Sequence, residues 1–128
     1  MIIIDSSVWI SLFNPLDSNH DRAKKIFEGL NSEHIVIFDY IFTESMTVFR
    51  NKVSDEFCVK FEQLLHYWDI SVFFTDHVLV RLATEYFFQF KKLSFTDCLI
   101  LASAKLNDYE IATFDEELKK AFKLALAK

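Results

Sequence analysis

Hydrophobic positions along the chain fall into two recurring patterns. Short, uninterrupted apolar runs occupy residues 2–4, 35–38, 71–74 and 111–113. Continuous apolarity, as opposed to alternation, marks a strand covered on both faces, so these runs predict a central parallel sheet. Between them the apolar spacing changes to that of helices. Ala23, Ile26, Phe27 and Leu30 repeat at i, i+3, i+4 and i+7, and two further stripes run through Phe57, Phe61, Leu64, Leu65 and Trp68 and through Leu79, Leu82, Ala83, Tyr86 and Phe90. Residues 94–107 are apolar or small for most of their length and predict a largely buried helix, and another helix is expected over residues 39–51. The order strand, helices, strand, helix pair, strand, helix pair, strand, helix is that of an open α/β fold with crossover connections. Residues 122–127 are compatible with a fifth strand or with a continuation of the last helix.

Size and composition narrow this picture. A chain of 128 residues, 52% of them hydrophobic, suffices for one substantial core, and residues 1–128 are expected to form a single domain. One glycine, Gly29, cannot supply a dinucleotide fingerprint or a phosphate-cradling loop, both of which need several. With Pro15 as the sole proline, an all-β sandwich rich in tight turns is also excluded. Cys58 and Cys98 sit in apolar helical patterns and read as reduced core thiols. The histidines, His20, His34, His66 and His77, have no metal-binding spacing. Neither a secretory signal nor a membrane-length apolar stretch is visible, so a soluble cytoplasmic protein is expected.

Four acids then stand out by position. Asp5 directly follows the first strand, where open parallel sheets place their ligand crevice, although it also stands where a helix N-cap would. Ser94 and Asp97 have capping-box spacing at the start of the buried helix. Asp115 follows the last strand and opens a helix, again a capping position, and Glu44 lies among apolar neighbours in the helix after the second strand. A parallel sheet brings Asp5, Asp97 and Asp115 to one edge, and Glu44 lies about one turn into the helix after the second strand. Two ionised carboxylates about 4 Å apart repel by roughly 4 kcal/mol at an effective dielectric near 20, so such a set calls for a cation. An all-oxygen donor set suits Mg²⁺ or Mn²⁺. A carboxylate-held metal activates water and stabilises charge on a phosphate, so phosphodiester hydrolysis is the expected reaction. An aspartate-based phosphatase would want a second Asp two residues after Asp5, where Ser7 stands.

The pieces Ile2-Ile3-Ile4-Asp5-Ser6-Ser7-Val8, Phe42-Thr43-Glu44, the run from Leu93 to Ala102 that contains Ser94-Phe95-Thr96-Asp97, and Ala112-Thr113-Phe114-Asp115 together resemble the PIN-domain ribonucleases, most closely the VapC-type toxins of toxin-antitoxin pairs. The resemblance implies a three-layer α/β/α sandwich with a mostly parallel sheet of four or five strands. It further implies Mg²⁺ or Mn²⁺ held by Asp5, Glu44, Asp97 and Asp115, an RNA substrate, a homodimer and a cognate antitoxin. Asp5 and Asp97 look like the firmest metal contacts, with Ser6, Ser7 and Thr113 supporting them. An RNA-processing or DNA nuclease outside a toxin-antitoxin pair, or an inactive binding module, would share the fold. The chain departs from the family's usual pattern in its low glycine content and its 15 phenylalanines.

A net charge of −5 is unexpected for an enzyme acting on a polyanion, but four of the negative charges belong to the proposed ligands. Basic residues group at Arg22, Lys24 and Lys25, at Arg50 and Lys52, and at Lys91 and Lys92. Arg50 and Lys52, close behind Glu44, fit either phosphate contacts or a solvated helix face. Val80, Phe87 and Phe88 widen the apolar stripe of their helix, which fits either an interface or deeper burial.

Overall fold

In a computed structural model, which describes residues 1–126, the runs at residues 2–4 and 35–38 form β1 (Ile2–Ile4) and β2 (Ile35–Phe38). β3 (Val72–Phe73) is shorter than expected, and β4 (Glu110–Ala112) begins one residue early. The helices are α1 (Ser6–Phe13), α2 (His20–Glu28), α3 (Asp39–Val48), α4 (Asp55–Tyr67), α5 (His77–Gln89), α6 (Phe95–Asn107) and α7 (Glu116–Leu126). Residues 122–126 therefore continue the last helix, and Ala127 lies outside the described residues.

Among the described residues the strands form one sheet in the order β3-β2-β1-β4, with every pairing parallel. Registers such as Ile3 opposite Val36 and Ile4 opposite Ala112 place the strands' carboxyl ends together. The chain moves outward from β1 through β2 to β3 and then returns to the far side of β1, so direction reverses between β1 and β4. Clefts of doubly wound sheets form at such a switch point. The short runs are central because they are covered on both faces: Ile3, Ile4, Val36 and Ile37 have no exposed surface. β3 lies at the edge, with Phe73 47% exposed, which explains why so little of its apolar run pairs.

Helices α1, α2 and α3 pack together, while α5, α6 and α7 form a second group. The first group holds an aromatic core in which Phe61 of α4 meets Trp9, Phe13, Phe42 and Phe49 at centroid separations of 5.2–6.0 Å. The second is organised on α6, whose residues from Cys98 to Ala104 are all buried. Its start is fixed by the expected capping box: Ser94 accepts from the Asp97 amide, and Asp97 accepts from the Ser94 amide. Its end is fixed by Asp108 in the left-handed conformation, φ 56°. Asp69 at φ 55° closes the turn after α4. Short polar side chains tolerate this conformation, which is how two turns are made without glycine.

The helix after β2 departs from expectation. Regular α-helix ends at Val48, and residues Phe49–Val53 continue as a wider π-helical turn. That turn keeps Phe49 fully buried against Phe13 and Phe61 while Arg50, Asn51 and Lys52 stay exposed. Among the described residues, no helix is long and apolar enough to cross a membrane.

Candidate active site at the sheet switch point

The carboxyl ends of β1 and β4 meet at Asp5. Its amide donates to the carbonyl of Ala112 at 2.9 Å, continuing the strand pairing one residue past the sheet. Asp5 occupies the N-cap position of α1, but its side chain makes no capping hydrogen bond. The carboxylate instead accepts from the Thr113 hydroxyl at 2.7 Å and the Ser7 hydroxyl at 3.1 Å, both on Oδ2. It is only 6% exposed. Burying an ionised carboxylate is costly unless it is compensated, and two neutral hydroxyls compensate only in part.

From Asp5 the network reaches two further acids. Ser6 Oγ lies 3.4 Å from Asp5 Oδ1 and 2.6 Å from Glu44 Oε2, so one hydroxyl stands between the two carboxylates. Glu44 is half-buried on α3. On the other side, Thr113 Oγ1 accepts from the Asp115 amide at 3.1 Å while donating to Asp5. Asp115 Oδ1 caps α7, accepting from the amides of Glu117 and Leu118 at 2.9 and 3.3 Å. Capping leaves its second oxygen available. Asp97 enters from the first turn of α6 and makes no direct bond to the others. Burial pushes its carboxyl above the ordinary value, the Ser94 hydrogen bonds pull it down, and the negative charges of Asp115 and Asp5 push it further up. The same surroundings raise the Cys98 thiol to about 11, through burial and the adjacent Asp97 charge.

Three of the four acids expected from the sequence therefore meet at one edge, Asp5, Glu44 and Asp115 through the hydroxyls of Ser6 and Thr113, while Asp97 is bonded only to Ser94 at the start of α6. They are not drawn onto a common point: among the described residues, no three acidic, histidine or cysteine side chains are close enough to chelate one ion. Their chemistry nonetheless fits a hard divalent cation, because all donors are oxygens and no described Lys or Arg forms an ion pair with any of the four.

A fifth acid, Asp39, stands directly after β2 as Asp5 does after β1, yet serves a different purpose. Its carboxylate takes the Thr75 hydroxyl at 2.6 Å, the Thr75 amide at 3.2 Å and its own neighbour's amide at 2.9 Å, tying the exit of β3 to the start of α3. The next residue, Tyr40, bonds Ser103 of α6 at 2.8 Å. Burial raises its phenol well above the ordinary range, with Ser103 opposing and Asp39 and Asp5 adding to the rise.

Two open grooves meet at Glu44 and Val48. One, about 490 Å³, is lined by Asp39, Tyr40, Thr43, Thr47 and Thr96. The other, about 360 Å³, runs past Ser6 and Ser7 to Asn14, Asn19, Lys52 and Phe114. Sequence reasoning missed Tyr40, Thr96, Asn14, Asn19 and Phe114, because only the tertiary arrangement makes them neighbours of the acids. Of the basic pair, Lys52 lines a groove, and Arg50 donates to Asp55 at 2.9 Å in an exposed ion pair.

The sequence profile of the PIN domain matches residues 2–124. The chain belongs to the PIN-domain family, a family of nucleases. No curated protein matches it by sequence. Among solved structures, the fold is similar to that of VapC20 from Mycobacterium tuberculosis, a toxin that cleaves the sarcin-ricin loop, at 19% identity and TM-score 0.85, covering 94% of this chain and 95% of that one. It is also similar to a chain of FitAcB from Neisseria gonorrhoeae, at 17% identity and TM-score 0.79 over 96% of this chain and 94% of that one. A chain of a toxin-antitoxin complex from Klebsiella pneumoniae follows at 18% identity and TM-score 0.70, covering 90% of this PIN chain and 87% of the other. The three-layer, parallel α/β/α arrangement expected of the fold is thereby met.

Proposed function

We propose that this PIN domain is a metal-dependent endoribonuclease that acts as the toxin of a toxin-antitoxin pair. The observation that carries this reading is the switch-point network in which a buried, cation-free Asp5 shares hydroxyls with Glu44 and Asp115 and is felt by Asp97. Asp5, Glu44, Asp97 and Asp115 would hold Mg²⁺ or Mn²⁺. Such an ion lowers the pKa of a bound water and polarises the scissile phosphate.

The chain's own residues supply orientation. Thr113 and Ser7 fix one oxygen of Asp5, Ser6 fixes Glu44, and the capping box fixes Asp97, so little reorganisation remains when charge develops. The grooves on either side of Glu44 give an extended strand a path past that acid. The toxin assignment is supported by the likeness to VapC20 and to toxin-antitoxin chains, and it implies an antitoxin partner. The exposed apolar residues Val80, Phe87 and Phe88 on α5, with Phe95 on α6 stacked edge-on against Phe87, are where a homodimer would form.

The test is cleavage of labelled RNA and DNA with Mg²⁺, with Mn²⁺ or with EDTA, comparing the natural chain with Asp5→Asn and Asp97→Asn. Expected are metal-dependent RNA cutting and a loss of at least about 100-fold in each variant, the scale of a few kcal/mol of transition-state stabilisation. Undiminished cutting in either variant, or in EDTA, removes the mechanism. Cutting of DNA in preference to RNA replaces the substrate. Co-purification with the product of an adjacent reading frame, and loss of activity in that complex, tests the toxin assignment.

A further inference from the structure

One cation lines the groove on the α2 side of Glu44 and a second is held against two of its lining residues, and neither has a described acid partner. Lys52 lines that groove from the π-helical turn after α3. Arg22, on α2, lays its guanidinium over the ring of Phe114, 4.7 Å from the centroid, and donates from Nη1 to Asn19 Oδ1 at 3.0 Å. Both Phe114 and Asn19 line the same groove, and Phe114 stands in the chain between Thr113 and Asp115 of the acidic edge.

The fixing of Arg22 is what separates it from an ordinary solvated surface residue. An exposed arginine gives up substantial rotamer freedom when it is pinned, and here a ring face and an amide do the pinning without neutralising the charge. The planar fork is left preorganised, with donors remaining for a second acceptor. Arg50 provides the contrast, since its charge is already met by Asp55. A phosphate satisfies what Arg22 and Lys52 lack: it accepts several hydrogen bonds and carries the opposite charge. Two such groups beside a groove that reaches Glu44 suit phosphates of one strand, and the open groove suits an unpaired strand.

We propose that Arg22, seated on Phe114, and Lys52 form a two-point phosphate clamp that holds a single nucleic-acid strand beside the bond to be cut; this rests on the nuclease reading of the acidic edge. The clamp explains how an acidic chain retains a polyanion, because the cations are placed locally instead of spread over the surface.

Binding of a fluorescein-labelled, mixed-sequence single-stranded RNA oligonucleotide is measured by anisotropy in EDTA over a series of salt concentrations, with metal-dependent cleavage followed in parallel. Each phosphate contact on a single strand contributes about 0.7 to the slope of log affinity against log salt. Arg22→Ala and Lys52→Ala are each expected to lower the slope by about 0.7 and to weaken binding several-fold, with the double variant losing about twice as much slope. Arg22→Lys is expected to keep the slope but bind less tightly, because the charge remains and the planar seat on Phe114 is lost. Lys24→Ala, on the same helix but lining a different groove, is expected to change neither quantity. Thermal melts confirm that these exposed substitutions leave the fold intact. A double variant with the natural slope, in a protein that binds and cuts RNA, overturns the clamp and leaves the nuclease reading standing. A natural chain that neither binds nor cuts any nucleic acid overturns both.

Discussion

Thr113 donates its hydroxyl to Asp5 at 2.7 Å, joining two residues 108 positions apart at the ends of neighbouring strands. The same hydroxyl accepts the Asp115 amide, so one side chain sets the relative placement of two candidate ligands. Thr113→Val keeps the shape and removes both bonds. It is expected to reduce metal affinity or cleavage rate by about 10- to 100-fold, the usual effect of losing a group that orients a ligand. Isothermal titration with Mn²⁺ and single-turnover cleavage check this, and a variant indistinguishable in both assays shows that Asp5 needs no such support.

Asp97 makes a prediction with a definite sign. Its carboxyl in the folded chain lies above its ordinary value near 3.9, chiefly through burial. Between the unfolded and folded values the folded chain binds more protons, so the Asp97 contribution to stability falls as pH rises through that window and is at its worst above it. In EDTA, Asp97→Asn is therefore expected to melt above the natural chain at neutral pH, with the gap closing towards acid. Adding Mg²⁺ is expected to raise the natural chain alone. A gap that does not change with pH, or an equal response to Mg²⁺, contradicts the assignment.

Phe61 is fully buried and touches four other aromatic rings. Phe61→Ala is expected to cost about 3–5 kcal/mol through lost burial and the cavity left behind. Against the usual total of about 5–15 kcal/mol, that is a large share of the stability. Urea unfolding gives the value directly, and a loss below about 1 kcal/mol shows that the surrounding rings collapse to fill the space.

On the opposite helix group, Phe88 is 65% exposed. Phe88→Glu is expected to convert a homodimer to a monomer without lowering the melting temperature of the monomer. Sedimentation velocity distinguishes the outcomes: equal masses for the variant and the natural chain move the dimer face elsewhere or remove it.

Much of the fold was legible because burial on two faces writes itself as continuous apolar runs, and β1 and β2 follow those runs closely. The edge strand was not, since Phe73 and Phe74 have strand-like chemistry but little to pair with beyond β2. The end of α3 was misjudged because helical spacing does not distinguish an α-turn from the wider turn that keeps Phe49 buried. For the site, strand ends pointed to Asp5 and Asp115 and capping-box spacing pointed to Asp97. The same rule applied to Asp39 would have added an acid that in fact holds Thr75. What separates Asp5 from Asp39 is the partner each receives from distant chain, and no local pattern encodes that. Arg22 stands out in the sequence only as one of a basic group with Lys24 and Lys25, because its seat on Phe114 joins segments far apart in sequence.

Pairing of β4 beside β1 has a consequence for the order in which the sheet edge is completed. Asp5 precedes Thr113 by 108 positions and gains that partner, with the Asp115 amide behind it, only once the strand farthest along the described chain has joined the sheet. A ribosome-bound chain lacking that strand leaves the Asp5 carboxylate without its shortest hydrogen bond, so the network closes last, together with the fold itself.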